Sequence, residues 1–330
     1  MAANNIEPDD FDFDDEGADV GTAESSTASI SSSLVQGVDE YGRRYASYGK
    51  AGTSTSVARA STCITADANY GMPIDEEELD RIDLKHRLYT MLLGEKLFLA
   101  PIQPNPQRIL DLGTGSGIWA IDMADAYTSA EVLGVDLAPI QPQWVPSNCR
   151  FEIDDVEEPW TYGRTFDFIH ARDFLFSILD WQNLVNSCYE NTTPGGYTEL
   201  QCLLPEAQCD DDSTPPDQGV REFSEKVCDA SEIAGWSLRE PKNYKKYMQN
   251  AGFEDVTEVR YKVPTSSWPK DKRTKMLGAL EMQSLLQGAS AFSLRAFSRA
   301  YGWTQTQTEM FLVKMRHDVR DLRYHTYYEL

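Results

Sequence analysis

The sequence has 330 residues, 41% of them hydrophobic, enough for one large domain or two small ones with a real core. Its net charge of −23 disfavours nucleic acid and anionic membrane as partners. The four histidines and six scattered cysteines, none in a Cys-x-x-Cys pair, offer no zinc ligand set, and no apolar run reaches the ~20 residues of a membrane helix.

The first 36 residues open with nine carboxylates before residue 25 and continue with serines and threonines. They bear too few large apolar groups to offset the entropy of ordering, which predicts a disordered tail. The start of the chain has neither a basic cluster nor an apolar run, so no signal peptide is read there, and the free thiols fit a reducing compartment. The expected location is the cytosol, with the nucleus as alternative. Residues 53–69 read as a second loose stretch, leaving 41–48 as an aromatic and basic island that should pack on something.

A helix is predicted from Asp75, which can cap it, with Glu76, Glu77 and Glu78 at its positive end. Leu79, Ile82, His86, Tyr89 and Leu93 recur at steps of three and four as one buried stripe, and Pro101, Pro104 and Pro106 should stop the helix near Ala100. From Arg108 short apolar strands alternate with helices. Strands are read at 108–112, 131–136, 150–153, 166–170 and 197–201, with helices at 118–127 and 181–190. That alternation implies an α/β fold with a parallel sheet. Helices near 219–234 and 241–251 follow, then an alternating strand over 253–263 and a helical stretch over 270–322.

The chemistry concentrates where strands end. Asp111-Leu112-Gly113-Thr114-Gly115-Ser116-Gly117 follows a strand and opens a helix, where glycines and free amides let the backbone approach a ligand. A dinucleotide fingerprint needs Gly at 118, which is Ile, and a P-loop needs Gly-Lys-Ser/Thr, which is absent. What remains is the acid-x-Gly-x-Gly-x-Gly pattern of S-adenosylmethionine binding. Asp136, followed by Leu137, ends the next strand 23 residues after Gly113, the spacing of a carboxylate that accepts from ribose hydroxyls. After the third strand, Asp154 or Asp155 could accept from an adenine amino group while the Val156 amide reaches a ring nitrogen. At the fourth strand end, His170 is a candidate general base or cofactor ligand, against the plainer reading of a local hydrogen bond. His86 is a second candidate, though its place on an inward stripe favours a satisfied core histidine. Phe292, Phe297, Tyr301 and Trp303 read as core rather than pocket. The sequence after the fourth strand is not the Asn/Asp-Pro-Pro-Tyr of amino-group methylation on adenine or glutamine.

Together, the segments 41–45, 75–86, 109–120, 134–142, 151–155 and 166–172 resemble the fungal LaeA-like (UMTA) methyltransferases, a similarity spanning about residues 38–328. The resemblance implies a Rossmann-like class I sheet of about seven strands, mostly parallel, with an N-terminal helix and a C-terminal helical lid. It divides the chain into a tail (1–36), an N-terminal lid segment and helix (37–101), a cofactor-binding core (102–265) and a helical cap with a last strand (266–330). It implies S-adenosylmethionine as cofactor and no metal. It also implies that Arg44 and Tyr45 close over the cofactor's methionine end. Two family roles come with it: methylating a small molecule in secondary metabolism, or regulating that metabolism in a nuclear complex with velvet-type partners. Two departures stand out. Lys85 replaces a frequent Gln, and 324–329 reads as a shortened last strand.

Overall fold

The computed structural model describes residues 37–46 and 71–330. The expectations for 1–36, 47–48 and 53–69 lie outside these residues. The described part of the aromatic and basic island is a hairpin of β1 (Val38–Glu40) and β2 (Arg43–Tyr45). Its turn is made by Tyr41 and Gly42, both at positive φ (54° and 74°), the combination that matches strand twist in two-residue hairpins.

Helix α1 (Glu76–Leu92) starts as expected. The Asp75 carboxylate accepts from the Glu78 amide and holds the Arg43 guanidinium at 2.6 and 2.7 Å, which ties the hairpin to the helix. Burial pulls the Asp75 carboxyl up, but Arg43 and the Arg44 and Glu78 amides outweigh it and leave it below its ordinary value. The helix ends at Leu92 rather than near Ala100, because Gly94 and Glu95 turn the chain at positive φ well before the prolines. Its inward face also differs from the expected stripe. Glu78, Arg81 and Lys85 are buried with His86, Leu88, Tyr89 and Leu92, since Glu78 pairs with Arg81 and a distant helix supplies Ser284 to Arg81 and Glu281 to Lys85.

Five parallel strands form the central sheet: β3 (Arg108–Leu112), β4 (Glu131–Asp136), β5 (Cys149–Ile153), β6 (Phe166–Arg172) and β7 (Thr192–Gln201), in the order β5-β4-β3-β6-β7. Both faces of the sheet are covered, which is why the inner strands read as nearly continuous apolar runs. Ile109, Val132 and Phe168 pack with Trp119 and Met123 of α2 (Ile118–Ala126). Leu110, Leu133 and Ile169 pack with Trp181 and Leu184 of α3 (Trp181–Asn191). The chain runs outward from β3 to β5, then returns to β6 on the other side of β3. Such a reversal opens a crevice at the carboxyl ends of the strands.

The remaining strands do not extend this sheet. β8 (Leu204–Gln208), β9 (Lys262–Pro264) and β10 (Tyr327–Glu329) make a separate antiparallel sheet in the order β8-β10-β9. The class is as expected, but the seven-strand sheet is divided, because Cys202 and Leu203 break the path from β7 and the Leu203 amide turns to Asp173 and the Tyr89 hydroxyl. The alternating stretch 253–263 yields a strand only at its end, since most side chains from 254 to 260 face solvent and no second layer rewards the pattern. The short last strand is seated between two neighbours, and Leu330 exchanges both backbone hydrogen bonds with Tyr261.

Helices α4 (Gly219–Ala234), α5 (Tyr244–Ala251), α6 (Lys272–Tyr301) and α7 (Gln305–Asp318) complete the fold. A core of Phe223, Val227, Leu285, Phe297 and Leu312 unites α4, α6 and α7, so Phe297 is core as read. Among the described residues no helix is long and apolar enough to cross a membrane, and no metal-binding cluster of His, Cys, Asp or Glu occurs.

Candidate active site

The crevice at the strand ends contains a cavity of about 120 Å3. Its wall brings together Asp111, Gly113, Thr114, Gly115, Asp136, Leu137, Asp154, Asp155, Val156 and His170, all singled out from sequence. Gly117, Arg44, Tyr45 and His86 are not on this wall.

Parallel register explains the convergence. Asp111 lies opposite Gly134 on β4 and opposite His170 on β6, so the tips of β3, β4 and β6 reach the crevice at one level. Asp111 is 3% exposed, and each of its oxygens is occupied: one lies 2.8 Å from His170 Nδ1, and the other accepts from the Thr114 hydroxyl at 2.6 Å. The carboxylate therefore shapes the loop from behind. With Nδ1–H directed at Asp111, the neutral ring of His170 keeps the lone pair on Nε2, a fully buried atom without a hydrogen-bond partner among the described residues. Its ring stacks on Trp119 at 3.8 Å and 6°, which sets its plane.

Asp136 holds the other side of the loop. One oxygen accepts from the Gly115 amide at 2.8 Å and the other from the Ala138 amide at 3.1 Å. A carboxylate has about four acceptor sites, so about two remain for a ligand. Burial pushes the Asp136 carboxyl up to about 6, against the pull of these amides. Burial also raises the neighbouring Asp154 carboxyl. The Asp155 carboxylate accepts from the Glu157 amide, and the Asp155 amide donates to the Asp154 carboxylate.

The glycines serve different needs. Gly113 has φ +59°, and a Cβ there would meet the Phe174 ring at 2.6 Å. Gly117 has φ +83°, and a Cβ would meet Phe151 at 2.4 Å. Gly117 thus admits a core ring at the start of α2, a packing reason rather than approach to a ligand.

Three residues read as site candidates are placed elsewhere. His86 donates through Nε2 to Asp122 (2.9 Å) and accepts from Arg172 through Nδ1 (3.1 Å), so no lone pair is left for proton abstraction. Arg44 is half exposed and pairs with Asp39 at 3.4 Å, because its strand alternates outward there. Tyr45 is fully buried under Arg295, whose guanidinium lies 3.6 Å from the ring centroid.

Sequence reasoning missed one wall. Glu78, Arg81, Ile82 and Lys85 of α1, Asp173 and Phe174 after β6, and Phe292 of α6 all face the cavity. Arg81 makes a two-point contact with Glu78 (2.6 and 2.9 Å), and Lys85 pairs with Glu281 at 3.0 Å. The signal was the inward phase of Arg81 and Lys85 on α1; their charge disguised it.

The family model described as a methyltransferase domain matches residues 84–258. Methyltransferase pytC of Aspergillus terreus is 38% identical over 296 residues, covering 89% of this chain and 86% of that protein. The secondary metabolism regulator LAE1 of Cochliobolus heterostrophus is 38% identical over 240 residues, covering 71% and 78%. Among solved structures, a putative sarcosine dimethylglycine methyltransferase from Galdieria sulphuraria aligns with a TM-score of 0.41 and 14% identity, over 79% of this chain and 91% of that one.

Proposed function

The chain belongs to the methyltransferase family that includes pytC and the LaeA-type regulators, and from that premise we propose that it methylates an oxygen or nitrogen of a small molecule of secondary metabolism. It is an S-adenosylmethionine-dependent methyltransferase, and S-adenosylmethionine is its cofactor.

The cavity suits that cofactor. Six carboxylates on its wall (Glu78, Asp111, Asp136, Asp154, Asp155, Asp173) face three cations (Arg81, Lys85, Arg172), a balance favourable to a sulfonium. Asp136 would accept from the ribose hydroxyls with its remaining lone pairs, Asp154 or Asp155 and the Val156 amide would hold the adenine, and the 113–115 loop would pack against the methionine end. His170 Nε2, buried on the same wall and unpartnered among the described residues, supplies an acceptor for a donor group of the ligand. When bound, the cofactor supplies an activated methyl group. The protein's part is to hold the acceptor in line and exclude water, and such positioning contributes roughly 7–11 kcal/mol.

The observation that carries this reading is the convergence of the Gly113–Gly115 loop, Asp136 and Asp155 on one acidic cavity. Calorimetric titration of the purified protein with S-adenosylmethionine tests it. Asp136→Ala should lose most of the binding heat, and unchanged affinity would remove the site.

A second reading, a regulator acting in the nucleus with a velvet-type protein, draws on the relatives named as secondary metabolism regulators. The enzymatic reading is favoured because the match to pytC reaches 89% of the chain against 71% for LAE1. Methyl transfer to a metabolite by the protein alone would support the first. Capture of a velvet-type partner with nuclear accumulation would support the second.

A further inference from the structure

Away from the strand tips, three aromatic rings close around one cation. Lys226 of α4 is half-buried and lies on no wall of the strand-tip cavity. Its ammonium is 4.9 Å from the ring centroid of Tyr301, 5.3 Å from that of Trp303 and 5.9 Å from that of Phe311, each within reach of a cation–π contact. Among the described residues Lys226 has no ion-pair partner.

The cage is shaped by its own packing. Gly302 caps α6 at φ +66° and Thr304 opens α7 with a capping box, so Tyr301 and Trp303 are fixed at the turn between two helices. The fully buried Phe297 ring supports all three, with its centroid 5.8 Å from Tyr301, 5.2 Å from Trp303 and 5.6 Å from Phe311. Trp303 is inclined to Tyr301 by 50° and to Phe311 by 64°, so the rings stand as walls rather than a stack. Tyr301 and Trp303, read from sequence as core, are half-buried at its rim.

The rings stabilise positive charge without accepting strong hydrogen bonds, and the Tyr301 hydroxyl donates to the Lys226 backbone carbonyl at 3.4 Å. A primary ammonium there must find water for its three donors. A trimethylated ammonium keeps the charge, has no donor to satisfy and fills the space with methyl groups. Carboxylates stand outside the cage: Glu225 and Asp229 are exposed on α4, on either side of Lys226 in the chain. With a net charge of −23 on the whole protein, that rim favours a basic segment over a lone small cation.

We propose that Tyr301, Trp303 and Phe311 form a binding site for a trimethylated lysine side chain in a basic segment of a partner protein, and that Lys226 is the resident occupant it displaces. No carboxylate among the described residues holds Lys226 in place, and its flexible four-carbon stem can carry the ammonium out into water. The rings, supported by Phe297, stay in position when the occupant changes. The site does not depend on the assignment of the strand-tip cavity to the cofactor.

The peptide Arg-Ser-Lys-Ser-Arg, with its lysine trimethylated or unmodified, tests the site by calorimetric titration into the full-length protein. The trimethylated form should bind at least about tenfold more tightly than the unmodified one. Trp303→Leu should abolish that preference. Lys226→Ala should tighten binding of the trimethylated form by roughly two- to fivefold, since the competitor is gone. Equal binding of the two peptides, a preference that survives Trp303→Leu, or choline binding as tightly as the trimethylated peptide overturns the proposal. In case Trp303→Leu does not fold, the indole N–H resonance of Trp303 in the wild type decides the matter. It should shift with the trimethylated peptide and not with the unmodified one, and the absence of that difference overturns the proposal.

Discussion

The strand-tip cavity and a smaller cavity of about 40 Å3 that shares Arg81, Lys85, Asp173, Leu175 and Phe292 with it are built in opposite ways. The first draws on consecutive strand tips. Asp111 to Gly115, Asp136 and Asp155 arrive in sequence order because parallel strands deliver each tip to the same edge. The smaller cavity has no such order: its walls come from α1, α4, α6, β10 and the connections after β6, β7 and α4, with residues as far apart as Arg81 and Tyr328. Backbone geometry holds the first site, whereas helix packing and buried ion pairs hold the second. The first should therefore fail locally when a loop residue is changed, while the second should fail together with the fold around it.

Lys85 gives the largest expected effect on the side of the smaller cavity. Lys85→Met would leave Glu281 buried and unpaired, and breaking one partner of a buried pair costs about 3–5 kcal/mol. Urea denaturation should show that loss, and Lys85→Met with Glu281→Met together should recover much of it. A single variant as stable as the wild type would mean that the pair is not what holds the smaller cavity.

On the loop side, Gly113→Ala should act on binding rather than on the whole fold. Positive φ and the 2.6 Å approach to Phe174 impose strain of about 1–3 kcal/mol, which should weaken cofactor affinity by roughly 10- to 100-fold in calorimetry. A fall in global stability with intact affinity would reverse the contrast between the two regions.

The pH dependence is smaller and discriminating. The Asp136 carboxyl is raised by burial from 3.8 to about 6. The free protein therefore gains stability from this group below about pH 4 and loses it as pH rises through 6. Cofactor binding responds the other way, since only the ionised group accepts from both ribose hydroxyls. Affinity should rise about tenfold from pH 5 to pH 7, and Asp136→Asn should flatten that slope. A slope that survives in the variant would move the titrating group elsewhere.

The smallest effect belongs to the anchor between the hairpin and α1. Asp75→Ala removes the α1 cap and the Arg43 anchor, and should cost about 1 kcal/mol in thermal unfolding with cofactor affinity nearly unchanged.

The sequence by itself determined the core strands, the glycine loop and the order of the strand-tip carboxylates. These depend on short-range features: apolar runs of strand length, glycine where φ must be positive, and an acid where a strand ends. β3 and β4 matched their expected limits residue for residue for that reason. Only the tertiary structure decided that Asp111 braces the loop through His170 and Thr114, that His86 is fully bonded, and that Gly117 admits a phenylalanine. It also decided that Arg81 and Lys85 point inward and that Asp173 stands between two cavities. A charged residue on a helix reads as solvated until the chain supplies its counterion, and here Glu281 lies 196 positions from Lys85. Pairing over such a distance leaves no trace in local composition or period, because it exists only once the helices have packed.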